Sequence, residues 1–338
     1  MPSTTLFGDN NPFSIAFTIA DLPIYWYAIL SILGYFTAIC IYLLTISKRY
    51  KLSFEVGFYY VFFALPMIIL GARLWSTIIE GAPINEFFNF RNGGLAVQGG
   101  VLFGVLTAFI YFPIMLSRPR YHLRIQDGNN IYIRRPSMWL YADAIIPTIL
   151  IGQAIGRWGN FFNGEIFGSP ITDGQLDWLK TLMPGVYDHM TPMVGLTVNG
   201  YEHGTYFQPL FLYESFLNVI VFVVIYGFLA ELRQMKAGTI ASLYFVSYGI
   251  IRFITETLRD AAFKFQATYI LNGLLLATGV LMFIYCQWIL PKLRDYKNTT
   301  FILDSIIWLF NKEQFKKPSL YDKKYERKEA SLIYFANR

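Results

Sequence analysis

The chain has 338 residues, of which 55% are hydrophobic and only 15% charged, with a formal net charge of +6. A single soluble domain would have to bury more apolar side chains than its core can hold, so an ordinary water-soluble globule is excluded. The 18% aromatic content argues against disorder, and two cysteines, Cys40 and Cys286, are too few for a disulfide scaffold. Both lie inside apolar runs and read as buried, inert thiols.

In chain order, residues 1–21 form an extracytoplasmic amino-terminal segment. No basic residue precedes Lys48, so a cleavable signal peptide is not expected and this segment stays on the mature protein. Residues 22–290 form a membrane domain. Three runs in it carry no charge: 22–47 and 92–117, of 26 residues each, and 265–291, of 27. A helix of that length reaches about 40 Å, beyond the ~30 Å of a hydrocarbon core. Four further spans carry charge near one end: 56–79 with Arg73, 136–156 with Asp143, 207–230 with Glu214, and 237–258 with Arg252 and Glu256. The fold class is therefore an all-α integral membrane protein with seven transmembrane helices.

Seven spans put the termini on opposite faces. Of the 28 Lys and Arg residues, 21 fall on one side of the ladder, including the tail 291–338. The positive-inside rule makes that side cytoplasmic and places the amino terminus outside. The basic excess is thereby a topology signal, and no nucleic acid need be invoked. Between spans four and five, residues 157–206 form an extracytoplasmic insertion rich in Gly and Pro, long enough to be functional or a small head. In the tail, the apolar stretch 301–310 is too short to span and reads as an interfacial helix.

Charged side chains inside a bilayer are costly and need a reason. Arg73, Arg157, Glu214, Arg252 and Glu256 all fall toward the outer ends of their spans, which implies a chamber opening toward the outer leaflet. Tyr248, Arg252, Glu256 and Arg259 follow at i, i+4, i+8 and i+11, along one helical face. That spacing suits either a cleft lined by two guanidinium groups and a carboxylate, or an Arg252–Glu256 ion pair stitching helices together. The densest stretch is Gly156-Arg157-Trp158-Gly159-Asn160-Phe161-Phe162-Asn163-Gly164-Glu165-Ile166-Phe167-Gly168. Its glycines allow close backbone approach, and Arg157, Asn160, Asn163 and Glu165 supply a donor fork, two amides and a carboxylate. Such a set suits an anionic phosphate head group. Gly152 with Gly156, and Gly100 with Gly104, have the spacing of close helix contacts. No cysteine or histidine pair has metal-ligand spacing, and neither metal nor cofactor is expected.

The stretch GRWGNFFNGEIFG resembles the signature of the prolipoprotein diacylglyceryl transferase family. Trp26-Tyr27, Gly71-Ala72-Arg73, Gly93 to Gly100, Gln208-Pro209 with Leu212-Tyr213-Glu214, and Tyr248-Gly249 with Arg252-Phe253, Glu256 and Arg259 follow in the family's order, covering about residues 20 to 290. The resemblance implies a bacterial plasma-membrane enzyme that moves the diacylglyceryl group of phosphatidylglycerol to the lipobox cysteine of a prelipoprotein signal peptide. A thioether forms and glycerol phosphate leaves. By the same resemblance, Arg157, Arg252, Glu256 and Tyr27 are catalytic. Arg157, Asn160, Asn163, Glu165, Gly168, Arg252, Tyr248, Arg73 and Gln98 bind phosphatidylglycerol, and Glu256 orients Arg252 or helps with proton transfer.

The chain departs from the family pattern at Gln98 and Gln208, where histidine is usual. Glutamine takes up no proton near neutral pH. The thiol proton then goes to Glu256, Glu165 or the substrate phosphate, or this copy is impaired. Of the chain's own histidines, His122 falls in a cytoplasmic loop and His189 and His203 in the outer segment; His203 is five residues from Gln208. The alternatives are a transporter of an anionic solute, whose charges would line both ends of several spans, and a catalytically impaired lipid-binding homologue.

Overall fold

The computed structural model describes residues 5–8, 11–78, 87–88, 96–127, 130–134, 136–172, 174–198, 200–232, 234–259 and 266–290. The tail, with the expected interfacial helix 301–310, lies outside the described residues. Contacts divide the chain into two compact units, one of residues 1–41 with 145–287 and one of 42–144 with 288–338.

Six helical stretches are long and apolar enough to cross a membrane: Trp26–Arg49, Phe54–Ile78, Gly99–Leu116, Met138–Asn163, Leu210–Glu231 and Thr268–Ile289. Large apolar side chains stand bare on them. Ile32, Phe36, Phe62 and Leu281 are 62% to 67% exposed, an apolar surface of the kind a lipid bilayer covers. The remaining expected span, 237–258, is present as a 19-residue helix, Thr239–Thr257. It is not among the six, because Arg252, Glu256 and a row of Thr, Ser and Tyr dilute its apolarity.

The chain is mostly helical, but not wholly so. Strand β1 (Ile15–Ile19) pairs antiparallel with β2 (Leu22–Tyr25) through Ala20 and Asp21, both at positive φ. Two consecutive residues of that hand make the tight turn that matches strand twist, although Ala-Asp lacks the Asn-Gly chemistry that advertises it. A second hairpin joins β3 (Leu123–Asp127) to β4 (Asn130–Arg134). Both are short additions to a chain whose long elements are all helical, as the all-α class expects.

In the unit of residues 42–144, helix α2 (Phe54–Ile78) packs along α3 (Val97–Leu116). Gly71 and Gly99 let the two backbones touch, and a Cβ on Gly100 or Gly104 would come within 3.2 Å of Ile68. Tyr60 donates to the Gly104 carbonyl at 3.3 Å and Tyr111 to that of Val56 at 2.9 Å. Tyr60, Phe112 and Tyr141 continue the contact as a row of tilted rings. Glu55 accepts from Arg120 and Tyr121 near one end of the pair.

The other unit begins with β1, β2 and the start of α1 (Trp26–Leu44). It continues through α5 (Ile149–Asn163), which follows the short helix α4 (Met138–Ile145) of the first unit, and then α6 (Asp177–Leu182) and α7 (Pro184–Asp188). It closes with α8 (Leu210–Phe222), α9 (Thr239–Thr257) and α10 (Gln266–Ile284). Gly34 and Gly152 bring α1 and α5 together; a Cβ on Gly34 would lie 2.7 Å from the Gly152 carbonyl. Gly156 departs from the expected packing role, because a Cβ there would meet nothing within 4 Å. The segment from Gly164 to Pro209 is a packed cap with its own core, including Phe7, Phe167, Leu179, Val198 and Phe207.

Candidate active site

Helix α5 ends in a Schellman turn. Gly164 adopts φ +70°, its N–H bonds the Phe161 carbonyl at 2.9 Å, and the Glu165 N–H bonds the Asn160 carbonyl at 2.9 Å. A side chain at residue 164 would also strike the Phe7 ring, with Cβ 2.6 Å from Cδ2, so glycine is required twice over. The turn swings Glu165 back over the helix end. There its Oε2 accepts from Asn160 Nδ2 at 3.0 Å and its Oε1 from Asn163 Nδ2 at 3.3 Å.

From Asn160 the chain of contacts runs inward. Asn160 Oδ1 accepts from Arg157 Nη1 at 3.3 Å. Arg157 Nη2 lies 2.6 Å from Glu214 Oε2 on α8, and Arg252 Nη1 on α9 lies 2.6 Å from Glu214 Oε1. One carboxylate, 1% exposed, is thus clamped between two guanidinium groups that are 16% and 17% exposed. The five side chains Glu165, Asn160, Arg157, Glu214 and Arg252 form one relay over three helices. Its inner triad carries a net charge of +1, and Arg157 Nε has no hydrogen-bond partner. A charged donor set left short of acceptors in a largely buried site is suited to an anion.

Arg252 does not pair with Glu256, the partner that its own helix face suggests. Glu256 is 1% exposed, and its Oε2 lies 3.7 Å from Arg259 Nε, with no hydrogen bond to either carboxylate oxygen. The organising residue is Glu214, which sequence reasoning placed at the outer end of a span and in a matched motif without giving it a role. Its signal was available: an intramembrane carboxylate facing intramembrane arginines needs a counter-ion. Which arginines it serves depends on helix packing.

The other expected residues are placed as follows. Tyr27 packs on α5 at Gly159, where a Cβ would lie 2.9 Å from its ring, and the neighbouring Trp26 stacks on Phe162 at 5.0 Å. Tyr248 stacks on Tyr244 at 5.7 Å. Gly168 has a packing reason: its N–H bonds the Gln208 carbonyl at 2.8 Å, and a Cβ would lie 2.7 Å from the Leu258 carbonyl. Arg73 is buried in α2, in the other unit. Gln98 is in the first turn of α3 in that same unit, and its side chain lies outside what is described. His203 bonds the Pro192 carbonyl at 2.8 Å within the cap. His189 joins Phe7, Phe13 and Phe161 around an aromatic cavity of about 580 Å³. Among the described residues no group of His, Cys, Asp and Glu could hold a metal.

A helical membrane protein with a buried, cationic cluster at the ends of three helices is the class these features define. Residues 14–289 match the family model described as prolipoprotein diacylglyceryl transferase. The chain is similar to a phosphatidylglycerol–prolipoprotein diacylglyceryl transferase of Ureaplasma urealyticum, 52% identical over 93% of this chain and 92% of that protein. A protein of the same name from Ureaplasma parvum is 48% identical over 100% and 98%. One from Clostridium botulinum is 32% identical over 72% and 84%. The chain belongs to the prolipoprotein diacylglyceryl transferase family.

Proposed function

We propose that the chain transfers the diacylglyceryl group of phosphatidylglycerol to the lipobox cysteine of a prelipoprotein, with the Arg157–Glu214–Arg252 cluster as the phosphate site. The cysteine sulfur attacks the diacylglyceryl carbon that bears the phosphate. The C–S bond forms as the C–O bond breaks, and the electron pair leaves with glycerol phosphate. The thiol proton goes to Glu256 or to the departing phosphate monoester. Arg157 and Arg252 neutralise charge as it builds on the leaving group, the contribution expected of preorganised cations in a dry site. Asn160, Asn163 and Glu165 receive the head-group glycerol, and Tyr27 stands beside the reacting carbon. Arg73 and Gln98 have a supporting part in lipid binding.

The seven-span arrangement belongs to the same reading, with α9 as the span whose polar face is turned to protein. The amino terminus and the 157–206 cap then face outward and the basic tail faces the cytoplasm of a bacterial plasma membrane. The observation that carries the proposal is the single buried carboxylate holding two guanidinium groups in a matched family framework. The transporter reading loses its ground, since the comparisons favour a transferase. The test is transfer of radiolabelled diacylglyceryl from phosphatidylglycerol to a lipobox peptide by purified protein in detergent. Label in the peptide that disappears with Arg157→Ala is expected, and no label from the wild-type chain overturns the reading in favour of the impaired lipid-binding homologue.

A further inference from the structure

The relay has a second polar tier beneath it. Counting four residues from each member of the triad, away from the Gly164 turn, leads from Arg157 to Gln153, from Glu214 to Asn218 and from Arg252 to Tyr248. Four residues are one helical turn, about 6 Å along the axis, so all three helices present a polar side chain at one common level. The helix contact fits this register, because Ser215 Oγ donates to the Ala154 carbonyl at 2.9 Å.

The two amides of the tier are short of partners. Asn218 is fully buried, and neither its Nδ2 nor its Oδ1 has a hydrogen-bond partner. Gln153 donates from Nε2 to the Tyr244 hydroxyl at 3.3 Å, but its buried Oε1 has no partner. A buried amide without partners is destabilising unless something fills the gap, and the atom that an incoming acceptor can fill is Asn218 Nδ2. There is room beside it. Gly156 lies on the same face of α5 as Gln153, Arg157 and Asn160, at i, i+3, i+4 and i+7, and opens onto space rather than a neighbour.

We propose that this tier binds the ester carbonyls of the donor lipid. The inference rests on the phosphate site proposed above. A glycerophospholipid carries its polar groups in a fixed order: head group, phosphate, then two ester carbonyls a few ångströms nearer the acyl chains. The protein offers matching groups in the same order, with Asn160, Asn163 and Glu165 outermost, the arginine pair next and the amide tier innermost. Ester carbonyls only accept hydrogen bonds, and Asn218 Nδ2 and the Tyr248 hydroxyl are donors. The tier therefore reads the linkage of the acyl chains, distinguishing ester from ether lipids, and fixes the depth at which the reacting carbon stops.

The experiment compares dioleoyl phosphatidylglycerol with its di-ether analogue as donors to a lipobox peptide, using the full-length protein. The wild-type chain is expected to show a kcat/KM about tenfold higher for the ester donor, the scale of one hydrogen bond. In Asn218→Leu, which keeps the branched heavy-atom skeleton without its polar atoms, and in Tyr248→Phe the ester-to-ether ratio is expected to fall toward one. Gly156→Leu, which fills the open space, is expected to raise KM for both donors at least tenfold. Equal use of the two donors by the wild-type chain overturns the inference, even if Asn218→Leu does not fold. An unchanged ratio in a folded Asn218→Leu, or unchanged kinetics in Gly156→Leu, overturns it as well. Failure to transfer from either donor overturns the underlying function instead, so the two are distinguishable.

Discussion

Arg252 reaches from α9 across to Glu214 on α8, at 2.6 Å, and leaves Glu256, one turn along its own helix, to Arg259 at 3.7 Å. The cross-helix pair does what the same-helix pair would not: it ties α9 to α8 and, through the second oxygen of Glu214, to Arg157 on α5.

Glu214→Gln should therefore damage the fold as well as the reaction. Removing one partner of a buried ion pair costs about 3–5 kcal/mol, because the other charge is left uncompensated. A melting temperature lower by several degrees in detergent is expected, together with transfer reduced at least a hundredfold. A variant with normal melting and normal transfer would remove Glu214 from the centre of the site.

Arg157→Ala and Arg252→Ala should abolish transfer with smaller effects on stability, since each removes a charge from a cluster with a net positive excess. Lysine at either position should restore little, because a point charge cannot hold a carboxylate and a phosphate in one planar fork. Label transfer and thermal melting on the same preparations separate the two effects, and normal activity in both alanine variants would sink the phosphate role.

Gly159→Val should lower transfer by displacing Tyr27, whose ring occupies the space of the missing Cβ. Gly164→Ala should act on stability first. A left-handed residue costs alanine about 1 kcal/mol, and the collision with Phe7 adds to that. Melting curves for both and kcat for the first are the measurements; a Gly159→Val protein with wild-type kcat would free Tyr27 of a part in the reaction.

Gln98→Ala should change transfer by less than about threefold, and Gln98→His should not raise it, if the proton goes to Glu256 or to the phosphate, neither of which needs a base at residue 98. A large gain from histidine would mean that this chain is limited by the residue it lacks.

The orientation has its own test. A cysteine introduced at Lys180 in the cap should react with an impermeant thiol reagent in intact cells, and one at Lys48 only after permeabilisation. The opposite pattern would invert the topology.

The spans were legible in the sequence because a bilayer demands long uncharged runs, and six of them reappear as helices of spanning length and apolarity. Helix α9 was legible as a span with charge near one end, and its polar residues keep it below the apolarity of the others. The site stretch was visible from its density of glycine and polar types. Its wiring was not, because side-chain spacing within one helix says nothing about a partner 38 residues away on another. The hairpin at Ala20-Asp21 was hidden since alanine does not signal positive φ and a lone aspartate signals it only weakly. Gly156 was misread for the opposite reason: its spacing to Gly152 is right for packing, and only the neighbouring helices decide that one glycine meets Gly34 while the other meets space.

The shared carboxylate also sets a charge balance for turnover. Two guanidinium groups and one carboxylate sum to +1, so a phosphodiester lipid, which carries one negative charge, brings the cluster to neutrality. The phosphate monoester that leaves carries −1.5 to −2 near neutral pH once its proton is lost. In the phosphate site proposed here that charge exceeds the +1 of the triad, and the excess favours release of the product. Without Glu214 the two guanidinium groups would carry +2 and hold the product; with it, the proposed phosphate site favours what enters over what must leave.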